Sequence, residues 1–97
     1  MDKGQSKVIN IDFDNMKLCT LILYFSVDVC EVKIQNFTTH QHSLYKTFRR
    51  KVIVVGNLLE DIYLVTLYKQ NIKNKKINYI KYRIRVPKCE YMEVFFE

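Results

Sequence analysis

The pattern with the clearest chemical meaning is an alternation of charged and apolar residues between Tyr79 and Val86. Lys81, Arg83 and Arg85 occupy every second position. Side chains two residues apart on a strand point to the same face, so these cations would project together at intervals of about 6.6 Å, twice the strand rise. That spacing resembles the spacing of backbone phosphates, and guanidinium groups bind phosphate oxygens bidentately. The pattern therefore favours a surface that neutralises phosphates.

A nucleic-acid ligand would use further side chains near these three cations. Tyr79 lies on the same predicted face, where its ring could stack on a base. Lys75 and Lys76 precede the strand, and Arg49 belongs to a second basic cluster at 46–51. We therefore predict a surface for RNA or DNA that consists of Lys75, Lys76, Tyr79, Lys81, Arg83, Arg85 and Arg49.

The positive charge is concentrated in the C-terminal half of the chain. Residues 1–45 carry four basic and five acidic side chains, whereas residues 46–97 carry twelve basic and five acidic ones. Eight of the cations, and no acid, fall within residues 69–88. An alternative interpretation is that this basic run is simply a solvated face, or that it keeps an edge strand from pairing with other chains.

Residues suited to metal binding or catalysis are few and poorly spaced. His40 and His42, with Cys30 or Cys89, are the best candidate metal ligands, but no second ligand pair at zinc-finger spacing accompanies them. Cys19, Cys30 and Cys89 form no CxxC motif, and we expect them to be small buried hydrophobes without a disulfide framework. Two glycines are too few for a glycine-rich phosphate loop. We expect no metal, no cofactor and no catalytic activity.

The composition predicts a mainly β fold in a single domain spanning residues 1–97. The chain has ten Val, ten Ile, seven Tyr and six Phe, but no Ala. β-branched and aromatic side chains favour strands, and Ala is the strongest helix former. Ile, Lys, Asn, Tyr and Phe also have A/T-rich codons, so part of this enrichment reflects the base composition of the genome. An A/T-rich source such as a small viral genome would produce it. The predicted architecture is an antiparallel sheet arranged as a sandwich or barrel.

The periodicity places the basic strand at 77–86, after a basic turn at 69–76 and before Pro87. Alternating or continuous apolar residues predict further strands, and one polar stretch predicts a loop. The strands are predicted at 7–13, 17–26, 51–55 and 90–96, and the loop at 35–43. Residues 27–34 either continue the strand at 17–26 after a bend or form a separate strand.

Two structures compete for residues 58–69. Gly56-Asn57 suits a two-residue type II′ hairpin turn, after which the segment would be an antiparallel strand. Asn57 could instead cap a helix, because Glu60 follows three residues later as in a capping box. Leu64 would then lie on the solvent-exposed side of the helix, which counts against the helix. The strand is favoured, and an α+β fold with one helix near 58–69 is the alternative.

Aromatic residues on faces expected to be wet favour a second function. Tyr91 and Phe95, with Tyr63 and Tyr68, would be exposed if their neighbours fill the core, and exposed aromatics often mark interfaces. The rival prediction is therefore a protein-interaction module that forms a homodimer or binds a host factor. The longest apolar run, at 18–27, is too short to span a membrane, so we expect an intracellular protein without membrane contact.

Overall fold

The computed structural model describes residues 18–96, which form seven β-strands. They are β1 (Cys19–Tyr24), β2 (Val29–Asn36), β3 (His42–Lys46), β4 (Val52–Leu58), β5 (Asp61–Gln70), β6 (Ile77–Val86) and β7 (Tyr91–Phe95). None of the residues in 18–96 is helical. The prediction of a mainly β fold is confirmed. The strand predicted at 7–13 lies outside the described residues.

The seven strands form two sheets. The three-stranded sheet has the order β4-β1-β7, and the four-stranded sheet has the order β3-β2-β5-β6. All neighbouring strands are antiparallel except β1 and β7, which run parallel. A parallel pair needs a long connection. Here that connection contains the entire four-stranded sheet and the edge strand β4.

The inner faces of the two sheets meet in one hydrophobic core. Along β1, buried and half-buried residues alternate, and Cys19, Leu21 and Leu23 are fully buried. The four-stranded sheet contributes buried residues from β2, β5 and β6 to the same cluster: Val32, Ile34, Tyr63, Val65, Leu67 and Val86. The arrangement is that of a two-layer sandwich, in which each sheet keeps one face outside.

The first two described strands are separate, and each belongs to a different sheet. β1 lies within the strand predicted at 17–26 and is central in its sheet, whereas β2 begins after a turn and enters the other sheet. The loop predicted at 35–43 is wrong at both ends, because β2 continues to Asn36 and β3 begins at His42. Asn36 explains the short turn, since its side-chain oxygen accepts hydrogen bonds from the main-chain N–H groups of Thr38 and Thr39, both at 2.8 Å.

The hairpin turn predicted at Gly56-Asn57 is wrong. Both residues lie within β4, where an irregularity in the register with β1 accommodates one extra residue: Leu21 pairs with Val55, but Cys19 pairs with Leu58. Asn57 adopts a φ of 63°, which Asn tolerates better than most residues. The chain turns only afterwards and crosses to the other sheet, so β4 and β5 are not partners.

The alternative of a helix near 58–69 is also wrong. β5 is a ten-residue strand between β2 and β6, so both neighbours satisfy its main-chain hydrogen bonds. Its side chains are mostly buried or half-buried on both faces. Tertiary pairing therefore overrides the local capping pattern.

The C-terminal elements follow the predictions closely. β6 has the predicted bounds, Ile77–Val86, and β7 lies within the strand predicted at 90–96. The basic turn is shorter than predicted because β5 continues to Gln70. The part of the chain that the structure describes contains no helix long and apolar enough to cross a membrane.

Candidate nucleic-acid interface

The three alternating cations of β6 lie on the outer face of the four-stranded sheet. Lys81, Arg83 and Arg85 are exposed, whereas Tyr82 and Ile84 between them are half-buried and pack against the core. β6 is an edge strand of that sheet. The predicted strand and its alternation are confirmed, and the three cations share one solvent-facing side.

The register brings two further lysines onto the same face. Directly paired residues of antiparallel strands point to the same side of a sheet. Lys81 pairs with Thr66, and Thr66 pairs with Lys33 of β2. Because adjacent strands are about 4.8 Å apart, the backbones at Lys33 and Lys81 lie about 10 Å apart across the sheet. Two residues away along each strand, a second set of paired residues faces outward from β6, β5, β2 and β3: Tyr79, Tyr68, Glu31 and Lys46. We call the outer surface with Lys33, Lys46, Lys81, Arg83 and Arg85 the basic face.

Aromatic rings lie among these cations. The Tyr79 side chain is 60% exposed, and its ring centroid lies 6.1 Å from that of Tyr68. The Lys81 Nζ lies 5.7 Å from the centroid of the Tyr79 ring, and the Arg83 Cζ lies 5.5 Å from that of Phe37. These are cation–π distances, which hold a charged group above a ring without neutralising it. The basic face therefore offers both charges and stacking surfaces.

Carboxylates reduce the positive charge of the basic face in two places. Arg85 Nη2 lies 3.6 Å from Glu60 Oε2, and both side chains are largely exposed. An exposed pair of this kind is weak and screened by salt. Asp61 lies at the same end of β5 but pairs with the buried Val86, so it belongs to the other side of the sheet; hydrogen bonds from the Thr38 side chain and from the Ile62 N–H hold the pKa of its carboxyl below the usual value. Glu31 faces outward between Tyr68 and Lys46, so the most accessible positive charge lies around Lys81 and Arg83.

A cleft at the end of the sandwich contains two of the other predicted site residues. Arg49 and Lys75, together with Lys46 of the basic face, line this cleft of about 390 Å³. Lys76 is exposed in the same turn as Lys75 but does not line the cleft. The loop that carries Arg49 is anchored by Thr47, a fully buried residue whose hydroxyl donates a hydrogen bond to a main-chain carbonyl of β2. Lys46 thus connects the basic face to the cleft.

The prediction missed Lys33, Tyr68 and Phe37 as parts of this surface. Lys33 stands between Val32 and Ile34, so its alternation indicates a wet face. Nothing in the local pattern says that this face is shared with β6. The strand order supplies that information, because β5 lies between β2 and β6.

The candidate metal ligands are not brought together. His40 and His42 line a groove of about 710 Å³ that involves β3 and β4, and neither Cys30 nor Cys89 lines it. Cys30 Sγ instead donates to the carbonyl of Tyr68 at 3.3 Å. Within residues 18–96, no three His, Cys, Asp or Glu side chains form a group that could hold a metal ion.

The outer face of the three-stranded sheet is mostly apolar. Tyr91 and Phe95 are 63% and 70% exposed, as predicted, and Val54 of β4 is 62% exposed. Tyr63, also predicted to be exposed, is buried instead, because β5 directs it into the core, where its hydroxyl donates to the Leu59 carbonyl at 2.8 Å. We call the outer surface with Ile22, Tyr24, Val52, Val54, Tyr91 and Phe95 the apolar face.

Comparison with models of protein families, with curated proteins and with solved structures finds no match to this chain.

Proposed function

We propose that this protein is a non-catalytic nucleic-acid-binding module that holds single-stranded RNA or DNA on the basic face. The observation that carries the proposal is the convergence of cations from three strands on one side of a sheet, beside the exposed ring of Tyr79. Cations neutralise backbone phosphates, and a flat aromatic surface stacks unpaired bases. A single strand can present both its phosphates and its bases to such a surface.

The alternative that the cations only protect an edge strand accounts for part of this pattern. β6 is an edge strand, and charged residues there discourage pairing with other chains. Lys33, however, belongs to β2, which has a neighbour on each side. Edge protection gives no reason for a cation on an interior strand. Phosphate binding accounts for Lys33 and the β6 cations together.

The cations in the terminal cleft extend the proposed path of the nucleic acid. Lys46 belongs both to the basic face and to the cleft that contains Arg49 and Lys75. A single-stranded nucleic acid that crosses the basic face near Tyr79 would reach this cleft next. Phosphate contacts there would lengthen the binding site beyond the sheet itself, with Lys76 close by in the same turn.

Fluorescence anisotropy with labelled oligonucleotides tests the proposal. The test variant is Lys81→Ala with Arg83→Ala, and the matched control is Arg50→Ala with Lys88→Ala. The control removes the same charges from exposed positions outside the basic face. We expect the test variant to bind single-stranded oligonucleotides at least about 10-fold more weakly and the control to change affinity less than about 3-fold. Equal losses in both variants would show that only net charge matters.

Tyr79 provides a separate test of stacking. Tyr79→Ala should weaken binding by about 1–3 kcal/mol, the usual contribution of one stacked base, whereas Tyr79→Phe keeps the ring and should bind almost normally. Duplex oligonucleotides of the same length serve as the comparison ligand. If duplexes bind as tightly as single strands and Tyr79→Ala has no effect, the protein binds phosphates alone.

The apolar face supports a second candidate function, association of two copies of this chain. The one charged residue at its paired positions is Glu93, whose carboxylate accepts a hydrogen bond from the Tyr24 hydroxyl at 2.7 Å. The chain has a formal net charge of +6, and much of that charge lies on the other sheet. Two copies would therefore meet with least repulsion through this face, and they would cover Val54 and Phe95.

Light scattering at several protein concentrations tests this association. We expect a dimer that persists at high salt, because its contact is apolar. Val54→Lys should give a monomer, whereas Leu44→Lys, at a similarly exposed position of the other sheet, should leave the dimer intact. A wild-type protein that is monomeric at its highest soluble concentration would exclude this candidate function.

A further inference from the structure

Two cysteines far apart in the sequence meet at the edge of the core. The Sγ atoms of Cys19 and Cys89 are 3.1 Å apart, although 70 residues separate them in the chain. Cys19 belongs to β1 and is fully buried, whereas Cys89 lies in the segment between β6 and β7 and is half-buried. One thiol is therefore enclosed, and its partner is accessible to small reagents.

The main chain around the two thiols is already held in place. The N–H of Thr20 donates to the carbonyl of Glu90 at 3.0 Å, so a hydrogen bond joins the residues that follow each cysteine. A disulfide has an S–S distance of about 2.05 Å, which requires the two sulfurs to approach by only about 1 Å. Cys89 lies between β6 and β7 rather than within a strand, so strand pairing does not fix its position.

We propose that Cys19 and Cys89 form a reversible intramolecular disulfide, with a small-molecule disulfide such as oxidised glutathione as the oxidant. The Cys89 thiolate attacks one sulfur of the oxidant, breaks its S–S bond and expels one thiolate, which leaves a mixed disulfide on Cys89. Cys19 then loses its proton, attacks the Cys89 sulfur and expels the second thiolate. The two expelled thiolates take up the two protons released by the cysteines. Two electrons pass from the protein to the oxidant, which leaves as two thiols.

The buried thiol makes the second step slow at neutral pH. Burial, the hydrogen bond with Cys89 and the charge of Cys89 raise the pKa of the Cys19 thiol to about 11. The thiolate is the attacking species, so only a small fraction of Cys19 can react at pH 7. Once Cys89 is part of the mixed disulfide, its thiol hydrogen bond and charge are lost and burial alone keeps the pKa of Cys19 raised, so closure should still accelerate as the pH rises from 7 to 9.

The disulfide would add a covalent link where main-chain hydrogen bonds already join β1 to the start of β7. β1 is the central strand of the three-stranded sheet, and the segment with Cys89 leaves the edge strand of the other sheet. A cross-link that closes a long loop restricts the unfolded chain, which favours the folded state. The basic face would be unchanged, so this switch affects stability independently of nucleic-acid binding.

Thiol alkylation and mass spectrometry test the proposal on the whole chain. After incubation with excess oxidised glutathione, we expect two of the three thiols to become resistant to alkylation, and the non-reduced digest to contain one peptide pair joined through Cys19 and Cys89. Cys30 is the internal control, because its Sγ contacts the Tyr68 carbonyl rather than another thiol. The oxidised protein should also unfold at a higher temperature, and dithiothreitol should abolish that rise.

Cys89→Ser is the matched variant, since its half-buried position tolerates the change better than that of Cys19. This variant should show neither the cross-linked peptide nor the shift in unfolding temperature, whereas Cys30→Ser should show both. Alkylation of Cys19 and Cys89 after full incubation at pH 9, or a cross-link through Cys30 or to a second chain, would overturn the proposal.

Discussion

Removing Lys81 and Arg83 should lower the salt dependence of nucleic-acid affinity by a predictable amount. Each phosphate that a cation neutralises on a single strand releases a counterion and contributes about 0.7 to the slope of log affinity against log salt. The basic face has five cations, of which Arg85 is paired with Glu60. If the other four each contact one phosphate and the nucleic acid is too short to reach the terminal cleft, the expected slope is about −2.8.

The slope converts directly into affinities. Between 50 and 200 mM salt, a slope of about −2.8 lowers the affinity about 50-fold. The variant with Lys81→Ala and Arg83→Ala keeps two of the four contacts, so its slope should be about −1.4 and its loss about 7-fold. The control with Arg50→Ala and Lys88→Ala should keep the original slope.

Anisotropy titrations at four or more salt concentrations measure these slopes. The slope distinguishes lost phosphate contacts from a folding defect, because a folding defect would lower the affinity without changing the slope. A wild-type slope shallower than about −1 would show that the basic face does not bind phosphates as a set. An unchanged slope in the Lys81 and Arg83 variant would place the binding surface elsewhere.

Three further predictions concern stability. Thr47→Val removes a buried hydroxyl that donates to a main-chain carbonyl and should cost about 1–3 kcal/mol in urea denaturation, whereas Thr47→Ser, which keeps the donor, should cost less; a more stable Val variant would contradict this role. Leu67→Ala leaves a cavity at a fully buried position and should cost about 2–5 kcal/mol, against less than about 0.5 kcal/mol for Leu44→Ala at an exposed one. Hydrogen bonds lower the pKa of the Asp61 carboxyl in the folded protein, so its contribution to stability is present above the unfolded-state pKa and disappears as the pH falls through the folded-state pKa. Asp61→Asn should therefore reduce the loss of stability below about pH 4 in thermal melts. If the unfolding temperature of this variant falls with pH as steeply as that of the wild type, Asp61 does not make this contribution.

The segment at 17–26 and the region around β4 show what local sequence patterns can and cannot predict. The run at 17–26 correctly indicated a strand in the centre of a sheet: Leu21 and Leu23 face the core, and Ile22 and Tyr24 belong to the apolar face. The Gly56-Asn57 pair indicated a turn that does not form. Both residues instead lie within β4, where the register with β1 shifts by one residue. This pairing depends on β1, which lies more than 30 residues earlier in the chain.

The sequence alone determined the strand content and the direction of the side chains on β6. Both are local properties: β-branched and aromatic residues favour extended backbone, and a period of two places Lys81, Arg83 and Arg85 on one side. Tertiary structure alone decided which strands are neighbours. It placed Lys33 on the same face as Lys81, enclosed β5 between two strands rather than folding it as a helix, and brought Cys89 to Cys19. These contacts join residues far apart in the chain, and their free energy comes from burying a common core, which no local pattern encodes.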